Sequence, residues 1–166
     1  MFIVNWIVGI LQQINDSSMA EAIRESVWLF PALETVHVIA IVIVVGSITR
    51  LDLRLLGLVS RDRPVTEVSD EMLPWTWIAF GVAVIFGVLL WTSKPIKYFQ
   101  IAFFDVKFVL MMLAGINMLY FQRVTFKTVT QWNRDPIPPA AVRIAGGLSL
   151  AFWLSIVICG RFTGFI

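Results

Sequence analysis

The chain has one cysteine, Cys159, so no intrachain disulfide can form, and a lone thiol on an apolar helix reads as a small packing residue. It has one histidine, His37, so no HExxH pair exists. CxxC, P-loop, GxGxxG and GxSxG patterns are absent as well, and no serine outside the first apolar run has a histidine and acid to activate it. No catalytic motif is found, and hydrolase, kinase and dehydrogenase readings have nothing to rest on. Charge is scarce: 14% of residues, with a net charge of +2 too small to indicate nucleic acid or an acidic substrate.

What is plentiful is apolar. Hydrophobic residues make up 58% of the chain, and the mean hydropathy is +0.84. A soluble domain of 166 residues needs more polar surface than this chain supplies, so the composition points to a membrane protein. Four apolar runs are predicted to cross the bilayer: Val27 to Thr49, Trp75 to Trp91, Phe103 to Phe121 and Ile144 to Phe162. The runs are continuous rather than alternating, and in lipid only helices or closed barrels satisfy their own backbone, so these are helices. Pro74 is expected in the first turn of the second run, Ser93-Lys94-Pro95 ends it, and Pro136, Pro138 and Pro139 mark a loop before the fourth.

The opening segment MFIVNWIVGILQQIND has no basic n-region and no clear cleavage site, so it does not read as a secretory signal. Ile3, Trp6, Ile7, Ile10, Leu11 and Ile14 recur at helical spacing, with Asn5, Gln12, Gln13 and Asn15 largely off the stripe. The run is too short to span. It is expected to lie in the interface as an amphipathic helix, with packing against the bundle as the alternative. The predicted fold is therefore all-α: an integral membrane four-helix up-down bundle over residues 27–166, preceded by an interfacial helix and lead-in over residues 1–26.

Basic residues set the orientation. The loops joining spans one to two and three to four hold Arg50, Arg54, Arg61, Arg63, Arg123, Lys127, Arg134 and Arg143, eight of the 13 Lys and Arg. The excess predicts both termini in the periplasm and a multi-pass location in the bacterial inner membrane. Trp28, Trp75, Trp77, Trp91 and Tyr98 are expected to form aromatic belts at span ends. Arg50, Asp52 and Arg54, at the end of the first span, are expected to pair with the Arg123–Arg143 loop or with Asp70 and Glu71.

The polar residues inside the runs are the candidate site. Glu34 and His37 lie three apart on one helix face, which continues through Phe30, Ile41, Val44 and Ile48. Facing lipid, such a group costs roughly 2.5–3.5 kcal/mol, so this stripe is expected to face the bundle. In the third run Met111, Met118 and Gln122 share a face beside Gly115, with Asn117 as a further amide. Core packing is the plain reading of the methionines, and mutual hydrogen bonding the plain reading of Glu34 and His37.

FPALETVH followed by DLRLLG, then PWTWIAF, INMLYFQR and PPAAVRIAGGLSLAFW, resembles an uncharacterised family of small bacterial four-span membrane proteins. The resemblance implies this architecture and no particular activity. In that family the position of Gln122 is often histidine, so this chain departs there, against a bis-histidine site between spans one and three.

Three function classes follow. The favoured one is a non-catalytic or redox-associated subunit of a larger membrane complex, or a homo-oligomer, with the bilayer as its other partner and no nucleic acid. The second is a b-type haem electron-transfer protein with His37 as axial ligand and Met111 or Met118 as the other. The third is a proton or Cu(I) transport component, with His37 as metal ligand, Glu34 beside it and the methionines as thioether ligands. Binding of a lipid or quinone between helices makes up the remainder.

Overall fold

The computed structural model describes residues 2–165 and the side chains of residues 6–164, so the side chains of Ile3 and Asn5 lie outside the described residues. All regular structure among the described residues is helical: α1 (Phe2–Asn15), α2 (Ser18–Glu25), α3 (Leu29–Leu55), α4 (Val65–Ser93), α5 (Pro95–Phe99), α6 (Ala102–Tyr120), α7 (Val129–Trp132) and α8 (Ala140–Phe165). Between α6 and α7 the backbone runs on through a π-helical turn, Phe121–Thr125, and a 3-10 turn, Phe126–Thr128. Four helical stretches are long and apolar enough to cross a membrane: Leu29–Leu55, Val65–Ser93, Ala102–Trp132 and Ala140–Gly164.

The spans alternate in direction. One end of the bundle carries both termini, and the other carries the two basic loops. At the terminal end Arg24 joins the parts: its guanidinium donates to the Asn15 carbonyl at 2.8 Å and to the Ser93 carbonyl at 2.7 Å. It thereby fills acceptors left open at the ends of α1 and α4. α1 lies against α5. Leu11 is buried and Ile7 and Ile14 half-buried, whereas Trp6 and Ile10 stay exposed. The stripe is thus divided between the protein and the surface, a mixture of the two expectations.

The basic-loop end holds the densest core, in which Leu51, Leu55, Val65, Val68, Trp132 and Val142 are all buried. Two features explain why α4 begins at Val65, ten residues before the apolar run. Val65 and Val68 pack into that core, and Asn133 caps the helix start, its carbonyl accepting from Val65 N–H and its Oδ1 from Thr66 N–H, both at 2.9 Å. Asp70 and Glu71, two charges just before the apolar run that look like its boundary, are exposed on the outer side of this same helix. Pro74 consequently lies inside α4 rather than in its first turn. Trp75 and Trp77 fall near the middle of α4, not in a belt at its end. α3 ends where Gly57 takes φ +70, and a Cβ there would meet the Pro136 carbonyl at 2.9 Å, so that turn needs glycine for conformation and for space.

α3 packs along α4 and α8, and α6 packs along α8. At Gly146 an added Cβ would stand 3.0 Å from Leu55 Cβ and 3.1 Å from the Asp52 carbonyl, so the α3 and α8 backbones nearly touch. α4 and α6 are consecutive spans, yet among the described residues they scarcely touch. The up-down bundle is therefore open along one seam.

Candidate functional site

A cavity of about 480 Å³ lies inside that open seam, between α3, α4, α6 and α8. Its walls are mostly apolar: Ile48, Leu51 and Leu55 from α3, Leu73, Trp77 and Phe80 from α4, Phe121 and Phe126 beyond α6, and Trp153 from α8. Ala114 and Gly115 leave the space on the α6 side, and nothing lies within 4 Å of a Cβ placed on Gly115. Trp77 is 54% exposed, and Gln122 is exposed as well, so the cavity opens sideways between α4 and α6. Trp77 and Trp153 meet Phe80 edge to face, at 6.2 and 6.3 Å between ring centroids, and stiffen one wall.

Asp52 is the only ionisable side chain among the described residues that line the cavity. It is 3% exposed, and its Oδ2 is buried with no hydrogen-bond partner. Ser149 lies close enough to hydrogen-bond the carboxyl from α8. The flanking arginines do not neutralise it. Residues two apart on a helix point to different sides, so Arg50 turns outward to Glu71, at 3.6 Å. Arg54, 0% exposed, donates instead to the carbonyls of Arg63 at 2.9 Å, Asp135 at 3.1 Å and Asn133 at 3.4 Å. Of the network expected around these residues, the arginine contacts form, to Glu71 and to the loop before α8, but Asp52 is not part of it. Asp52 stands ten residues past the middle of α3, about 15 Å, which is the edge of a ~30 Å hydrocarbon layer.

Of the residues singled out from sequence, Met111, Met118 and Gln122 do share a wall, and it is a wall of this cavity. Asn117 joins them, its amide donating to the Ala145 carbonyl at 2.9 Å and so tying α6 to α8. Glu34 and His37 do not line the cavity. The buried stripe of α3 is Leu33, Ala40, Val44, Ser47, Leu51 and Leu55, rotated from the one expected, which leaves Glu34 exposed and His37 half-buried. His37 Nδ1 lies 2.8 Å from the Ala83 carbonyl of α4. A carbonyl only accepts, so Nδ1 carries the proton and donates, and among the described hydrogen bonds Glu34 is not its partner. The imidazole edge rests on Gly87, where a Cβ would come within 2.8 Å of Cε1. His37 is thus a bridge between α3 and α4.

Lys107, inside α6, is half-buried near His37 and α8, with its Nζ 3.9 Å from a Cβ placed on Gly160. Sequence reasoning used it only as a charge to count, although it is the one lysine inside an apolar run. Asp52 was missed as a site residue too. The available signal was its spacing, four residues past Ile48 on the stripe drawn through Val44. No group of three or more His, Cys, Asp or Glu that could hold a metal ion occurs among the described residues. Outside the spans, the hydrogen bonds that the Arg63 guanidinium donates to the Glu67 and Glu71 carboxylates hold it above its ordinary range. Burial, and then the nearby Glu34 carboxylate, push the Tyr98 phenol up.

Residues 29–166 match the family model described as "Family of unknown function (DUF6644)", and the chain belongs to that family. The match begins at Leu29, where α3 begins. No curated protein and no solved structure matches the chain.

Proposed function

We propose that this is a non-catalytic binding protein of the bacterial inner membrane, with both termini periplasmic, that takes a lipid-soluble small molecule from the bilayer into the cavity between α3, α4, α6 and α8. One observation carries the reading: the cavity is apolar, opens sideways where α4 and α6 part, and among the described residues that line it has a single buried group with unmet hydrogen-bonding capacity. Its volume falls among small-molecule pockets, which run from about 300 to 1,000 Å³, and the pattern of apolar walls with one placed polar group is theirs as well. The eight basic residues on the two loops support the orientation. A haem held by His37 with a methionine of the same chain is less well supported, because the methionine stripe lines a cavity that His37 does not reach.

The test uses the two tryptophans in the wall. Bromobenzene added to the protein in lipid nanodiscs should quench part of the tryptophan emission saturably. Gly115→Phe, which projects into the empty space, should remove the saturable part. Quenching that rises linearly in both proteins overturns the reading.

A further inference from the structure

We propose that the ligand of this cavity is a lipophilic organic cation, with an ammonium-type centre against the Asp52 carboxyl and an apolar body against Trp77, Phe80 and Trp153. The inference rests on the binding role proposed above and specifies the chemical class that role serves.

Charge is the first argument. The cavity wall contributes one acidic group and, among the described lining residues, no basic one. The nearest candidate to neutralise Asp52, Arg54, directs Nε and Nη2 to three backbone carbonyls, and its buried Nη1 has no hydrogen-bond partner among the described residues, Asp52 included. A carboxyl oxygen buried without a partner is costly, and most of that cost is recovered when the counter-charge arrives with the ligand. An anionic ligand would find no basic side chain among the described lining residues. A neutral hydroxyl would fill the open acceptor but leave the charge uncompensated.

The walls are the second argument. Apolar and aromatic walls bury the hydrocarbon body of a ligand whose charged head is held elsewhere. Trp77, Phe80 and Trp153 line the cavity and meet edge to face, which makes one stiff apolar wall. Met111 and Met118 add polarizable sulfur, which adapts to ligands of varied outline. Depth is the third argument. Asp52 sits at the level of the membrane boundary while the aromatic wall lies deeper, so an amphipathic cation entering sideways would have its head and body at the matching levels.

The experiment compares two molecules of one shape. Benzyltrimethylammonium carries the cationic nitrogen, and neopentylbenzene has carbon in its place. Each is titrated into nanodisc-embedded protein with tryptophan emission as readout and concentrations referred to the bilayer. The wild type should hold the cation at least about tenfold more tightly than the hydrocarbon. Asp52→Asn should abolish that preference, with Asp52→Ser as the substitute if the amide variant fails to assemble. Equal affinity in the wild type, or a preference that survives loss of the carboxyl, overturns the cation and leaves the cavity reading standing. Saturation by neither molecule overturns both.

Discussion

His37 and Asp52 are carried by one helix, fifteen residues or about 22 Å apart along it, and their circumstances are opposite. His37 is half-buried with its Nδ1 proton given to the Ala83 carbonyl and its ring seated on Gly87. Asp52 is buried, faces a cavity, and has an oxygen with no partner. Rarity of residue type drew attention to the histidine. Unmet hydrogen-bonding capacity, which only the packed structure displays, draws it to the aspartate. A polar group that is satisfied inside a membrane bundle holds helices together; one that is not and that also borders a cavity, as Asp52 does and the Arg54 Nη1 does not, is available to a ligand.

The largest expected effect falls on the residue that keeps Asp52 alone. Arg54→Met removes three donors from carbonyls at the basic-loop end and should cost about 3–5 kcal/mol in detergent-unfolding experiments. The sharper measurement is the double variant with Asp52→Leu. If Asp52 and Arg54 do not pair, the two effects should add to within about 0.5 kcal/mol. A strong coupling would show that they form an ion pair in the membrane, and the contrast between Asp52 and His37 would dissolve.

Gly87 tests the other half of the comparison. Gly87→Ala favours a helix by up to about 1 kcal/mol by propensity alone, yet its Cβ would strike the imidazole at 2.8 Å. Overpacking should prevail, giving a net loss of about 1–3 kcal/mol, and His37→Ala in the same chain should recover most of it. A Gly87→Ala protein as stable as wild type would mean that the imidazole does not sit in this slot.

How much was legible follows from the kind of fact involved. The four spans, the stop at Ser93-Lys94-Pro95 and the common wall of Met111, Met118 and Gln122 are properties of one helix at a time, and periodicity carries them. The start of α4 was not legible because Asp70 and Glu71 look like a boundary until Val65 and Val68 are seen packing against Trp132. The partner of His37 was not legible because it is a backbone carbonyl, which no residue type announces. Asp52 looked like one more interface charge between two arginines. Only the separation of α4 from α6 shows that it borders a space.

Asp52→Leu should move stability in the direction opposite to most core substitutions. It removes an unsatisfied buried oxygen, and the cavity has room for the larger side chain, so unfolding in detergent should become harder by about 1–2 kcal/mol. A loss of stability instead would show that the contact with Ser149 holds the fold more than the open oxygen weakens it, and the cavity would lose its one ligand-directed group.

The smallest effect is the most discriminating. If His37 is a bridge, what it supplies is one donor to Ala83, and glutamine can supply that from its side-chain amide. His37→Gln should then stay within about 0.5 kcal/mol of wild type, while His37→Ala, which loses both the donor and the ring, should fall by about 1–2 kcal/mol. Neither change should alter binding of benzyltrimethylammonium, since Asp52 lies far along the helix from the imidazole. The alternative makes different demands, because donation from Nδ1 is also how a metal-bound imidazole is oriented, leaving Nε2 to the metal. In that case glutamine would fail as completely as alanine, and a visible absorption band present in the purified wild type would vanish in both variants. His37 would then be the ligand-bearing residue of α3, and the comparison with Asp52 would have to be drawn between two sites rather than between a bridge and a site.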